Sequence, residues 1–493
     1  MSSNPASATL LQEARTEFEK LVAMITSSEA STATLDRMER SIFRRLLRLG
    51  LQLLQLFIAT RVEAEAHGVH PGADGRVLPY HSQQPASYFS VFGKVTFRRA
   101  YFYRGGHSCC PLDAALSLPA RCYSDFLMEL AGELAVDGVF EKALEMLGKF
   151  LSLELPKLAL ETWVREESAL VTAFYDQTAA FPANSEGQIL VAQADGKGVP
   201  IVRSATVTTR VRRGKGNQKT RKKEAIATAL YTIEPYPRTP PSIVEALFPP
   251  EAKAARTSPE RPSPCHKQVF ATMNGKTWAL ERLQERVHQR DSRRIRARVA
   301  LTDGALALQQ RIQEKLPAFT LVLDIIHVVE YLWKAGNALY GETDPQRTVW
   351  VKTQVLDLLS SRTDQVIWRL EDKAGTLRKT SQACKVLHQV ANYFRRNQAY
   401  MDYATYLRRG WPIGTGVIEG VCRHVVKDRM ELSGMRWTVA GADALLALRA
   451  IHENDDWDEF HAFRRARCHE DLYAAPLPDT WVDQTEHLDI KVF

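Results

Sequence analysis

Apolar positions along this chain change period several times, and each change predicts a different kind of element. From Leu35 onward, Met38, Ile42, Leu46, Leu49, Leu53 and Phe57 recur at three- and four-residue steps, the mark of a long amphipathic helix. Arg44, Arg45 and Arg48 lie off that stripe and are expected on a solvated face, or against DNA or another subunit. Residues 67 to 86 carry no period and read as loop. Val91 to Tyr103 alternates and is rich in aromatic and β-branched residues, so it reads as a strand or hairpin. Ser124 to Val136, Val139 to Phe150 and Pro156 to Tyr175 read as three helices with short joins. That is the spacing of a helix-turn-helix unit, although plain helical bundles share it.

After Asn184 the texture becomes strand alternating with helix. Gln188 to Asp195 reads as a buried strand, Gly198 to Val202 as its hairpin partner, and Ala225 to Ile233 as another strand. A proline-rich segment read as loop, Pro235 to Pro264, precedes an apolar run at Val269 to Met273 and a helix at Thr277 to Gln289. Ile295 to Thr302 is a strand ending at Asp303, and Phe319 to Leu323 a strand ending at Asp324, with a helix at Leu306 to Leu316 between them. From Val328 to about Leu407 the pattern is helical, with Trp333, Trp350 and Trp368 expected as core anchors. Helical periodicity resumes after Pro412 and carries Glu419.

Bulk properties narrow the choice of class. At 493 residues and 45% apolar content the chain is large enough for more than one domain. Its net charge of +8 and pI near 9.0 lean toward a polyanionic partner. Nine cations and no acid lie between Arg203 and Lys223, and Arg210, Arg212, Arg213, Lys215, Lys219, Arg221, Lys222 and Lys223 are expected to contact DNA. Seven cysteines without a regular framework, and no visible signal peptide, point to a reduced cytoplasmic setting. The most apolar run, Leu46 to Ile58, is interrupted by polar residues and is not read as a membrane span. His107, Cys109 and Cys110 suggest a zinc knuckle only weakly, because paired Cys-x-x-Cys ligands are missing.

Three carboxylates stand out by position. Asp195 and Asp303 each follow an apolar strand and Glu419 lies early in a helix. Hard divalent cations need oxygen ligands converged from rigid elements, and such ions assist the cutting and rejoining of phosphodiesters. Each Asp-Gly alone is more often a turn; the three together are harder to dismiss. Strand, hairpin strand, third strand, helix, strand, helix, strand and a late helix is the element order of the RNase H-like fold, in which such acids occupy these positions. The expected fold class is therefore α/β, an RNase H-like catalytic domain with a large all-α insertion, preceded by a helical, helix-turn-helix DNA-binding region. The corresponding divisions are 1–70 helical, 71–122 loop and β-hairpin, 123–183 helix-turn-helix-like, 184–327 catalytic, 328–407 helical insertion, 408–460 catalytic, and 461–493 tail.

Four stretches resemble a known family: Gln193-Ala-Asp195-Gly-Lys-Gly-Val-Pro200, Leu301-Thr-Asp303-Gly-Ala305, Leu323-Asp324-Ile-Ile-His327-Val-Val-Glu330-Tyr-Leu-Trp333, and Gly416-Val-Ile-Glu419-Gly420 with Gly434-Met-Arg-Trp437. Over about Phe92 to Trp457 the chain resembles bacterial insertion-sequence transposases of the DDE class, and more narrowly the ISKra-type group related to Mutator-like transposases. Composition does not separate Asp303 from Asp324. The resemblance implies that Asp324 and His327 form a D-x-x-H motif close to the active site, which leaves Asp195, Asp303 and Glu419 as catalytic metal ligands. It also implies two Mg²⁺ ions, with Mn²⁺ able to substitute, and action on terminal inverted repeats and target DNA by a nucleoid-associated homodimer or larger assembly. Arg423 and Lys427 follow Glu419 at four-residue steps and are expected to track DNA phosphates on the same helical face. The group often carries paired cysteines before a Pro-Leu-Asp; this chain keeps Pro111-Leu-Asp113 but has only His107, Cys109 and Cys110 there. Two other functions fit the same residues, a structure-specific nuclease or resolvase and a domesticated DNA-binding protein that no longer cuts.

Overall fold

The computed structural model describes residues 5–65, 68–71, 77–202, 221–249, 261–290 and 292–477. The chain divides into two compact units, residues 1–174 with 456–493, and residues 175–455.

The first unit opens with helices α1 (Pro5–Ile25) and α2 (Leu35–Glu63), where the Thr34 side chain caps α2 by accepting from the Arg37 N–H. The two run antiparallel: Ser7 N–H donates to Glu63 Oε1 at 2.9 Å, and Arg45 Nη1 lies 3.0 Å from Glu17 Oε1. Strands β1 (Val69–Pro71), β2 (Val77–Ser90), β3 (Gly93–Arg104) and β4 (His107–Cys109) follow as an antiparallel meander in chain order. β2 falls largely within residues that read as loop. Its side chains are mostly half-covered or exposed, so the apolar alternation of a half-buried strand is missing; backbone pairing with β3, Tyr88 opposite Val95, makes the strand.

Short helix α3 (Pro111–Ala115) leads to α4 (Asp125–Asp137), α5 (Phe140–Leu151), α6 (Lys157–Ser168) and α7 (Val171–Gln177). α4 and α5 fall where the periodicity predicts helices, with Ser124 capping α4, whereas the single helix expected over Pro156 to Tyr175 breaks after Ser168 into α6 and α7, and α3 lies outside the expected helices. Gly132 lets α4 and α6 approach closely, since a Cβ there would sit 2.0 Å from the Trp163 ring.

The second unit is built on a five-stranded mixed sheet. β5 (Ile189–Ile201) pairs antiparallel with β6 (Arg221–Ile233), and after α8 (Pro240–Leu247), β7 (Cys265–Thr272) pairs antiparallel with β6. After α9 (Lys276–Arg290), β8 (Ala297–Thr302) adds parallel to β5, and after α10 (Leu306–Lys315), β9 (Thr320–Leu323) adds parallel to β8. The strand order is β7-β6-β5-β8-β9. β5 runs unbroken through Asp195-Gly-Lys-Gly, so Gly198 to Val202 is no hairpin return; the partner strand is β6.

Helices α11 (Ile325–Tyr340), α12 (Pro345–Leu359), α13 (Thr363–Gly375), α14 (Gln382–Asn397) and α15 (Tyr403–Arg408) form a block on one sheet face, sharing a core with Ile189, Val191, Val299 and Leu301. The opposite face, Leu190, Ala192 and Ala300, packs with Leu280, Leu283 and Leu308 of α9 and α10. Trp333 and Trp350 pack against the first core, but Trp368 is 65% exposed and anchors nothing. The unit closes with α16 (Gly416–Val421), a π-helical turn (Cys422–Lys427), α17 (Asp428–Met430) and α18 (Val439–Glu453). The last helix, α19 (Trp457–Tyr473), belongs to the first unit, where buried Arg464 reaches Asp125 at 2.8 Å and Glu129 at 3.1 Å on α4 and Glu167 at 3.2 Å on α6. No helix among the described residues is long and apolar enough to cross a membrane.

One buried pair holds the base of the mixed sheet. Arg290, at the end of α9, donates to both oxygens of Glu186 at 3.0 and 2.8 Å and to the carbonyls of Leu230 and His266. Removing one partner strands a buried charge, so Arg290→Met should cost about 3–5 kcal/mol in urea unfolding. A loss below about 1 kcal/mol would show that water or rearrangement replaces the pair.

Candidate functional site

The site begins with sheet register. β5 and β8 are parallel, and Gln193 lies beside Leu301. Two residues further on, Asp195 lies within β5, which continues to Ile201, and Asp303 follows the end of β8, so both acids stand at the same end of these neighbouring strands, which run about 4.8 Å apart. Alternation places Val191, Gln193 and Asp195 on one face, the face covered by the α11–α15 block. Burial pushes the Asp195 carboxyl above the usual carboxylate range, and the charge of Asp303 pushes it the same way. The Gly196 N–H, donating to Asp195 Oδ1 at 2.6 Å, and the Cys422 thiol, donating to Oδ2 at 3.5 Å, act against that rise.

Asp303 sits in the turn after β8. Its Oδ1 accepts from the Ala305 N–H at 2.9 Å and its carbonyl from the Tyr393 hydroxyl at 2.9 Å. Gly304 has φ +90° and a Cβ there would lie 2.6 Å from the Tyr393 oxygen, so both conformation and space call for glycine.

Asp324 is different. It is fully buried and its two oxygens accept four hydrogen bonds. Oδ1 takes the N–H groups of Ile326 and Thr415 at 3.2 Å each; Oδ2 takes His327 N–H at 3.2 Å and His327 Nδ1 at 2.6 Å. A carboxylate has about four lone-pair positions, and these are all in use. Asp324, His327 and Glu419 form a group whose ligand atoms lie within 4.8 Å of one another, which resembles a metal triad. The hydrogen bonding argues otherwise for Asp324, which has no oxygen lone pair left; the same bond pushes His327 up to about 9. Asp324 is an N-cap that clasps the start of α11 to the segment before α16.

Glu419 is exposed on α16, with Oε1 accepting from the Thr415 hydroxyl at 2.9 Å. Its helix is pinned to the sheet by Gln193, whose Oε1 accepts the Ile418 N–H at 2.8 Å while its Nε2 donates to the Tyr231 hydroxyl at 3.1 Å. Gln193 shares Asp195's face, so Glu419 starts its helix over the same side of the sheet. Cys422, three residues further on, contacts Asp195 and feels the charges of both Asp195 and Glu419. Cys422 and Gln193 thus link Asp195 to the Glu419 helix, and the charge of Asp303 reaches both Asp195 and His327; among the described residues Asp195, Asp303 and Glu419 do not themselves form a group with ligand atoms within 4.8 Å of one another.

The π-helical turn at Cys422–Lys427 alters one expectation. Hydrogen bonds there span five residues rather than four, so a four-residue step does not keep Glu419, Arg423 and Lys427 in one straight row. Arg423 and Lys427 are exposed on the turn itself, with Arg423 Nε 4.0 Å from Asp428. Arg449 of α18 donates to the carbonyl of Val425 at 2.7 Å inside the turn. Of the basic stretch, Arg210, Arg212, Arg213, Lys215 and Lys219 lie outside the described residues. Arg221, Lys222 and Lys223 begin β6, where Lys222 pairs with Glu431. Cys109 and Cys110 carry free thiols, and Cys109 Sγ lies 3.8 Å from His70 Nδ1. Trp437 is buried, donating to the Met430 carbonyl under the Arg429 guanidinium.

Sequence reasoning passed over Gln193, Thr415 and Cys422. Gln193 left a signal, a lone amide inside an apolar strand, which a buried partner must satisfy. Nothing in the local pattern marks Thr415 or Cys422, whose partners are brought by the fold.

No family model matches the chain, and no curated protein matches it. Among solved structures, the Drosophila P element transposase strand transfer complex is similar at 10% identity, covering 72% of this chain and 83% of that one, with a TM-score of 0.24. Likeness at that level carries no functional information.

The Asp324–His327 bond has a pH signature. His327 is raised from 6.5 to about 9 in the folded state, first by that hydrogen bond, so its stabilisation is complete below about 6.5 and disappears as pH rises through about 9. With the ring partly exposed, the loss should be on the order of 2 kcal/mol. Urea unfolding across that window should show the decline in the parent and a flatter profile in His327→Gln. An equally steep decline in the variant would assign it to other groups.

Proposed function

We propose that this chain is a DNA transposase that cuts and joins phosphodiesters by metal-assisted, in-line displacement. The observation that carries the proposal is the parallel register of β5 and β8, which brings Asp195 of β5 and Asp303, just past the end of β8, to the same end of the sheet, with the Glu419 helix pinned to β5 by Gln193. The strand order, three antiparallel strands followed by two parallel ones, supports an RNase H-like catalytic domain, with α11–α15 as its helical insertion.

The donor set suits hard divalent cations. Burial and Asp303's charge both raise Asp195, a mutual repulsion that a cation would relieve, and the three groups offer carboxylate oxygens. Asp195, Asp303 and Glu419 would hold Mg²⁺, or Mn²⁺ in its place. When bound, such ions supply Lewis-acid stabilisation to attacking and leaving oxygens. His327, cationic at neutral pH and fixed by Asp324, would offer its free N–H to a phosphate oxygen. Hydrolysis at a transposon end would free a 3′-hydroxyl, and that hydroxyl would then attack target DNA. No protein side chain need become covalently attached to DNA.

The helices α4–α6 would recognise terminal repeats, and the cations from Arg203 to Lys223 would neutralise backbone phosphates. Pairing two ends calls for at least a dimer. A resolvase would share the cutting chemistry without joining; a labelled transposon end joined to target DNA separates the two.

Asp195→Asn, Asp303→Asn and Glu419→Gln should each lower Mg²⁺-dependent cleavage at least about a thousandfold, with end binding within about twofold of the parent. Cleavage assays alongside gel-shift titrations provide the check, and full activity in any of the three would remove that acid from the site. Neutralising four cations between Arg210 and Lys223 should weaken DNA binding and reduce the slope of log affinity against log salt by about 3–4. An unchanged slope would assign those cations to solvated surface.

A further inference from the structure

The α1–α2 hairpin presents more apolar surface than it buries. Among the described residues of α1 only Ala14, Glu17 and Leu21 are buried, and of the 29-residue α2 only Ile58. Yet Phe43, Leu46, Leu53 and Phe57 are each between 44 and 50% exposed. Their steps of three, seven and four residues keep them in one stripe at the 3.5-residue period of a coiled-coil seam. On α1, Leu11, Phe18, Val22 and Ile25 are likewise exposed, at steps of seven, four and three.

Gly50 falls in the middle of the α2 stripe. The Phe92 ring from the β2–β3 turn occupies that place, 2.6 Å from where a Cβ would lie, and is itself 38% exposed. The apolar seam therefore continues across the gap. α2 packs against β3, yet among the described residues the row of large side chains on each helix stays about half-exposed, without the cover that a helical unit normally requires.

We infer that a second copy of this chain supplies that cover, hairpin against hairpin, as a four-helix bundle. The area agrees. A large apolar side chain offers roughly 150–200 Å², so nine at about half exposure, counting Leu35, give roughly 700–900 Å² per copy. A stable interface takes about 800 Å² per partner.

A two-fold axis that lays α1 of one copy along α2 of the other buries both stripes. A phosphate backbone has no use for an apolar seam, which favours protein over nucleic acid as its occupant. This inference stands on the hairpin alone and does not depend on the chemistry proposed for Asp195, Asp303 and Glu419.

Sedimentation of the full chain, without DNA or divalent metal, should give twice the mass of the 55.6 kDa chain and dissociate on dilution. Phe43→Glu with Leu53→Glu should weaken self-association at least about a hundredfold, with an unchanged far-ultraviolet circular dichroism spectrum. Hydrogen exchange of the unaltered chain adds a reading independent of the variant's folding: α2 amides from Phe43 to Phe57 should lose protection on dilution while α4–α6 do not. A parent that stays monomeric, a variant that still dimerises, or α2 protection indifferent to concentration would each overturn the inference. Protection that appears only when duplex DNA is added would overturn it in favour of nucleic acid.

Discussion

A buried carboxylate organises the site. Placing the Asp324 charge away from water is costly unless donors replace the lost hydration, and here four do. They come from the first turn of α11, from the His327 ring and from Thr415, 91 residues later. The Asp324 N–H also donates to the Thr302 carbonyl at 2.8 Å and the Ile325 N–H to the Ile413 carbonyl at 2.9 Å. The end of β8, the start of α11 and the approach to α16 are thereby joined at one point. The acids on either side, half-buried Asp303 and exposed Glu419, take their positions from that junction.

Around it the molecule separates holding from acting. Groups that hold are buried and satisfied: Gln193 between Tyr231 and Ile418, Tyr403 donating to the Leu323 carbonyl at 2.9 Å, Arg449 within the π-helical turn. Groups proposed to act, Asp195, Asp303 and Glu419, retain unused oxygen lone pairs and at least partial access to solvent. The π-helical turn belongs with the first set. It swings Cys422 inward against Asp195 and turns Arg423 and Lys427 outward.

Much of this was legible from residues alone where a local pattern carried it. Ile189 to Ala194, Val299 to Leu301 and Leu321 to Leu323 are apolar runs of strand length, each followed closely by an acid, and the structure makes them β5, β8 and β9. The three helices after Ser124 and the helical block before Trp411 followed from periodicity. β2 did not, because a strand with weakly buried side chains leaves no alternation. Nor did the exposure of Trp368, since the size of a side chain says nothing of whether a neighbour covers it.

The sequence by itself determined most of the strands and helices, β2 excepted, and which acids stand near their ends, because short-range sterics and hydrophobic period are written in consecutive residues. Only tertiary structure decided what each acid became. Asp303 and Asp324 both close apolar strands; one stays open and the other is saturated because Thr415 and His327 converge on it alone. Hydrogen-bond partners 91 and 225 residues apart, such as Thr415 with Asp324 and Ile418 with Gln193, meet only once the sheet and its helices have packed.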